Sequence, residues 1–292
     1  MRPLTAVLAA LLAAAPLASH ARPFRAMVTR TAGTTNPTNL ELGLRYQGFL
    51  AGQGLQALPY HQLSLGVRFG LLEGLEVNAY GDFMLLGLPG SAQFDTYLGD
   101  VPVGLQWTFL DTKVVAIGLW GRLTLPAGVA SFEALPSSLT DRIPPALSDG
   151  TWDGEGVLVA EIRPSRAFRV MLNVGYLYYG VRSRGPDPDF DIPDAIRYDV
   201  AITVNVTDTF LLGLEGIGRS HLDRQVTPAW TDNQHQLEVV PSIRLEIVPD
   251  LVLEGALGIA VSPDLRQMYL LRALLGFTYE FDFAPSGSRR GR

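Results

Sequence analysis

From Asn39 onward, apolar and polar residues alternate in blocks of roughly ten to thirteen, and each block closes on a turn. A period of two is that of an extended strand with one apolar face. Over 39–50, Leu40, Leu42, Leu44, Tyr46 and Leu50 share a face, and Glu41, Arg45 and Gln47 take the other. Over 61–70, Leu63, Leu65, Val67 and Phe69 oppose Gln62, Ser64 and Arg68. The same alternation runs through 75–85, 97–109, 114–125, 155–163, 168–180, 195–206, 210–219, 235–247, 251–261 and 266–283, which makes twelve predicted strands.

Charges fall on one face of these strands. Glu41, Arg45, Arg68, Glu76, Asp82, Asp100, Arg122, Glu161, Arg163, Arg169, Arg197, Asp199, Glu215, Arg219, Glu238, Arg244, Glu246, Glu254, Arg272 and Glu280 take the polar parity, and the apolar parity carries none. A charge facing lipid at mid-membrane costs about 2–4 kcal/mol, whereas one facing a wet lumen costs little, so this sorting is what a transmembrane β-barrel selects. A soluble sandwich also alternates. Its strands typically run about 5–6 residues, however, whereas a tilted membrane strand needs about 9–11.

The links support an all-β, antiparallel, up-and-down transmembrane barrel of about twelve strands. Those at 51–60, 86–96, 126–154, 181–194, 220–234 and 262–265 alternate with tight links at 71–74, 110–113, 164–167, 207–209 and 248–250. Outer-membrane barrels join their strands in this way, by long external loops and short periplasmic turns. Phe69, Trp107, Phe109, Phe168, Phe210, Tyr279 and Phe281 fall near the tight-turn end, and Tyr176, Tyr178 and Tyr198 near the other, as interfacial girdles require.

Residues 1–21 read as a signal peptide. Arg2 supplies the positive start, Leu4 to Leu17 the apolar stretch, and Ser19-His20-Ala21 a small-x-small cleavage site, with cleavage expected after Ala21. The chain thus divides into a signal peptide (1–21), an N-terminal periplasmic segment (22–38), the barrel (39–283) and a polar tail (284–292). The expected location is the outer membrane of a Gram-negative bacterium, and the barrel assembly machinery is the expected partner in insertion. Outer-membrane lipid and lipopolysaccharide are its surroundings.

Composition narrows the chemistry. Hydrophobic residues are 47% and charged residues 18% of the chain, and cysteine is absent, so thiolate metal sites, thiol nucleophiles and disulfides are excluded. A formal charge of −6, without a basic cluster ahead of the tail, argues against nucleic acid as a partner.

Leu98-Gly99-Asp100-Val101-Pro102-Val103-Gly104-Leu105 resembles the outer-membrane family labelled for the meta-pathway of phenol degradation, whose members are described as transporters. Leu123-Thr124-Leu125-Pro126-Ala127-Gly128 is similar to its strand-ending Leu-Pro-x-Gly, and Asp149-Gly150-Thr151-Trp152-Asp153 to its re-entry after the long loop. The turn Gly70-Leu71-Leu72-Glu73-Gly74-Leu75-Glu76 also fits, while Gln106-Trp107 departs from the family's basic residue and Tyr. The resemblance implies a barrel that takes up small molecules, aromatic ones among them, and it brings no catalytic residues.

Enzyme chemistry is poorly served. The mature chain has three histidines, His61, His221 and His235; His61 and Ser64 lie on opposite faces of a strand, and Ser220-His221 is adjacent without a triad's orientation. A membrane lipid hydrolase is accordingly the weakest of three readings, behind a channel and a non-conducting barrel that anchors or binds partners. Asp187, Asp189 and Asp191 space carboxylates as calcium loops do, but the turn Gly and bidentate Glu are missing, so a solvated acidic loop is the default. No cofactor is implied.

The lumen lining is therefore the functional surface. Its expected members include Arg45, Arg68, Glu76, Tyr80, Asp82, Asp100, Trp120, Arg122, Arg169, Tyr179, Arg197, Asp199, Glu215, Arg244 and Arg272. Acidic and basic groups nearly cancel, so charge counting predicts ion pairing without strong ion selectivity. Met84, Met171 and Leu177 share the inward parity and add apolar patches. The loop Pro126 to Ser148 carries Val129, Phe132, Leu135, Leu139, Ile143 and Leu147, and is expected to fold inward and narrow the pore.

Overall fold

Every strand pairs antiparallel with its neighbours, and the first, β1 (Asn39–Ala51), pairs with both the second and the last. The computed structural model describes residues 28–51, 60–87, 94–128, 151–180, 194–222 and 235–283. Its further strands are β2 (Tyr60–Leu72), β3 (Leu75–Gly87), β4 (Phe94–Leu98), β5 (Val101–Asp111), β6 (Val115–Leu125), β7 (Asp153–Ile162), β8 (Phe168–Tyr178), β9 (Ala195–Asn205), β10 (Phe210–His221), β11 (His235–Val248), β12 (Leu251–Ala260) and β13 (Tyr269–Asp282).

β3 pairs with β4 through its outer half and with β5 through its inner half, so β4 and β5 form one interrupted strand of the wall. The wall thus has twelve strands, and the β1–β13 and β2–β3 ladders close it. Closure removes both sheet edges, which is the condition for placing a sheet in lipid.

Alternation sets the two faces. Leu65, Leu105, Leu119, Leu158, Val174, Leu214, Ile243 and Leu275 are exposed on the exterior, whereas Glu76, Glu155, Glu161, Asp199, Glu215, Glu238 and Glu254 are buried. This inverts a soluble protein and is the pattern of a transmembrane barrel. Exposed aromatics mark the tight-turn end, where Trp107 meets Phe109 at 5.6 Å and Tyr279 meets Phe281 at 4.6 Å between ring centroids.

The structure departs from the sequence expectation in three places. The predicted strand 97–109 is broken at Gly99 and Asp100, where the Gly99 N–H donates to the Asp82 carbonyl at 2.7 Å. The predicted link 262–265 and the start of the following strand are a short helix, α1 (Pro263–Met268), with Pro at its first turn and the Ser262 hydroxyl accepting from the Leu265 N–H at 3.3 Å. An N-cap serine followed by proline is a helix start signal, and it overrode the apolar periodicity here.

The third departure concerns the N-terminal segment. Of the segment 22–38 expected in the periplasm, residues 28–35 instead run inside the barrel, and 36–38 lie at its tight-turn rim beside Gly70. Thr29, Thr31, Ala32 and Thr35 are buried, and Ala32 packs with Ala116, Trp120, Val157 and Val159 on the inner wall. The signal-peptide reading (1–21) and the tail (284–292) lie outside the described residues.

Candidate functional site

The N-terminal segment crosses the lumen as a strap, and the wall meets it with carboxylates. At the tight-turn end, the Thr35 N–H and hydroxyl both donate to Glu76 at 2.7 Å. Further in, the Thr31 hydroxyl donates to Glu161 at 2.5 Å, and the backbone N–H groups of Val28 and Thr29 donate to Glu215 at 2.9 and 2.6 Å. A strap outside any sheet has unpaired backbone donors, and a buried carboxylate needs donors, so each resolves the other's desolvation.

Neutral groups complete the docking. Gln106 Nε2 donates to the Thr31 carbonyl at 2.9 Å, and the Thr108 hydroxyl donates to the Ala32 carbonyl. With its amide turned to suit its neighbours, Asn173 accepts from the Arg30 N–H at 2.8 Å and donates to the Arg30 carbonyl at 3.1 Å. The Arg30 guanidinium lies 3.3 Å over the centre of the Trp120 ring, a cation–π contact inside the barrel.

Ion pairs lace the wall around it. Arg122 and Arg197 share Glu155 at 2.8 and 3.0 Å, and Arg197 also meets Asp199 at 2.6 Å. Arg163 and Arg169 share Glu161 at 2.9 and 2.6 Å. Arg68 meets Glu41 at 2.9 Å, Arg272 meets Glu238 at 2.5 Å, and Glu254 stands 3.7 Å from Arg244 and 4.0 Å from Arg45.

Beside the strap, a cavity of about 290 Å³ remains against β1, β2 and β3. Of the residues expected in the lumen, Arg45, Arg68, Glu76, Tyr80, Asp82, Trp120, Arg122 and Arg197 line it. Asp199 and Glu215 are buried, and Arg169, Arg244 and Arg272 lie in the ion pairs just given. Asp100 sits at the break between β4 and β5 and accepts from the Gly128 N–H at 3.1 Å. Tyr179, just past β8, is half-buried near His221.

The architecture is shared with solved outer-membrane β-barrels. Among solved structures, the chain is similar to the COG4313 outer membrane channel from Pseudomonas putida F1, at 12% identity and a TM-score of 0.60, over 86% of this chain and 98% of that one. The NanC porin gives 9% identity and a TM-score of 0.55, over 82% and 98%. The KdgM porin gives 10% identity and a TM-score of 0.51, over 82% and 99%. At these identities the likeness is one of fold. No protein-family profile matches the chain, and neither does any curated protein.

Two functional residues escaped the sequence reading. Glu155 shares the inward parity of Glu161, six residues along the same strand β7, and that parity was the available signal. Arg30 belongs to the strap and carried no strand parity at all. The acidic run Asp187, Asp189 and Asp191 and the loop from Val129 to Ser148 lie outside the described residues. The inward face of Trp120 is covered by Arg30. The Ser–His contact in the described residues, Ser220 Oγ to His235 Nδ1 at 3.0 Å, is on the lipid-facing parity and not in the lumen.

Proposed function

We propose that this protein is a non-enzymatic, passive channel for small molecules in a Gram-negative outer membrane, reached after cleavage of its signal peptide. The observation that carries the reading is the combination of a closed wall, an apolar exterior and a polar lumen that keeps a cavity beside the strap. A soluble barrel would have no use for that exterior. The likeness in fold to outer-membrane channels supports the same reading, as does the sequence resemblance to the phenol meta-pathway family. Hydrophobic or aromatic molecules are the proposed solutes, with Tyr80 and the other lining residues as their contacts, and lipopolysaccharide surrounds the outer end.

The strap favours a second reading, a non-conducting barrel that binds partners through its loops, because it fills much of the lumen. Single-channel recording on purified, refolded protein separates the two. Discrete conductance steps are expected from the channel, and silence from correctly folded protein would favour the second.

A further inference from the structure

Counted as formal charges, the lumen nearly cancels, but its charges are not equally reachable. Around the cavity the arginines stand forward and their carboxylate partners lie behind them. The side chain of Arg45 is 33% exposed and its neighbour Glu254 11%; Arg122 is 32% exposed and Glu155 1%; Arg68 is 21% exposed and Glu41 12%. A solute entering the cavity therefore meets guanidinium edges first. Glu76, the other acidic group of the lining near the strap, is occupied by Thr35. Asp82 is the remaining acid of the lining, and it is half-buried.

We infer that this cavity is a binding site for a small organic carboxylate, held by Arg45, Arg68 and Arg122. The inference rests on the channel reading for its physiological role but not for its chemistry. The guanidinium fork matches a carboxylate in shape and remains charged at any working pH. Each of these arginines keeps unused donors, since a guanidinium has five N–H groups and the ion pairs engage few of them. A volume of about 290 Å³ suits a molecule with the bulk of a single ring. Tyr80, whose hydroxyl accepts from Arg68 Nε at 3.0 Å, lies beside that arginine and offers its ring to the solute's body.

The test uses benzoate and its neutral analogue benzamide on the refolded full barrel at low ionic strength. Calorimetry reads binding and needs no open pore, and the reversal potential across a potassium chloride gradient reads selectivity. Benzoate is expected to bind and benzamide to bind at least about tenfold more weakly, the loss of one charge-assisted contact. Current, where present, should prefer anions.

Arg122→Gln and Arg45→Gln are suitable variants, because Glu155 retains Arg197 and Glu254 retains Arg244. Each should weaken benzoate binding by about tenfold. Asp82→Asn should strengthen it, which distinguishes recognition of charge from general damage to the fold. Benzoate binding without any conductance would keep the site and remove the channel. Conductance with no anion preference, and with benzoate and benzamide bound alike or not at all, would overturn the inference and leave the channel standing. Silence with no binding would remove both.

Discussion

Glu76, Glu161 and Glu215 are buried in the lumen, and each accepts from the strap. Desolvating a carboxylate costs several kcal/mol unless donors replace its water, so these three positions select where the strap lies. Glu215→Gln keeps an acceptor oxygen but removes the charge. A hydrogen bond to a charged group contributes about 1.5–3 kcal/mol and a neutral one about 0.5–1.5, so docking of the Val28 end should weaken by about 1–3 kcal/mol. Hydrogen exchange at the Val28 and Thr29 amides should then accelerate while the strand amides hold. Unchanged protection there would show that other contacts fix the strap. The two faces of the wall give a second contrast: Leu105 is exposed outward and Arg122 faces the cavity. Leu105→Arg should cost assembly about 2–4 kcal/mol, whereas Arg122→Leu should assemble and alter conductance. Equal yields of folded protein and unaltered conductance would mean that the faces are misassigned. Residue by residue, strand parity was readable because burial acts on every second side chain. Which partner of an ion pair stands forward was not, since Arg122 and Glu155 are brought together across strands separated by a long loop.

At the scale of elements, the strands were legible and the strap was not, for a physical reason. A strand announces itself through the solvent preference of its side chains, whereas the strap is held largely through backbone N–H groups and short hydroxyls reaching carboxylates far along the chain, as Val28 reaches Glu215. Such donors exist in every sequence. Helix α1 hid differently, because its Ser262-Pro263 start sat within what read as a short external loop running into an apolar strand. The place where the strap enters the barrel offers a direct handle. The Thr38 N–H donates to the Gly70 carbonyl at 3.0 Å, and a Cβ added at Gly70 would fall 2.0 Å from the Asn36 carbonyl oxygen. No rotamer relieves a clash with backbone, so Gly70→Val must displace the strap. The barrel should still close, since the β2–β3 ladder continues from Phe69 to Tyr60. Single-channel conductance should rise in the variant, as it should on deletion of residues 28–36. Unchanged conductance in a folded barrel would show that the strap does not limit the pore.

The molecule as a whole is a hoop, and its stability should have the character of one. Each of the twelve wall strands is hydrogen-bonded on both sides, so no strand can peel from an edge, and the opening step must break an entire ladder at once. Detergent that coats the apolar exterior does not break that ladder, because it replaces lipid and leaves the interstrand bonds and lumen ion pairs alone. Folded protein should therefore survive dodecyl sulfate at room temperature and run as a compact, fast band on a gel, and boiling should convert it to a slower one. The β1–β13 seam is the sensitive point of this argument, since it joins the two ends of the chain's strand order with register held from Asn39 opposite Asp282 to Leu50 opposite Leu271. Removing β13 leaves β1 and β12 with unpaired backbone inside the membrane, each unsatisfied group costing several kcal/mol. A chain lacking Tyr269 to Asp282 should lose both the fast band and recovery in the outer-membrane fraction, while the full chain keeps both. Recovery of the full chain in the soluble periplasm, or a mobility indifferent to heat, would be incompatible with a closed membrane barrel.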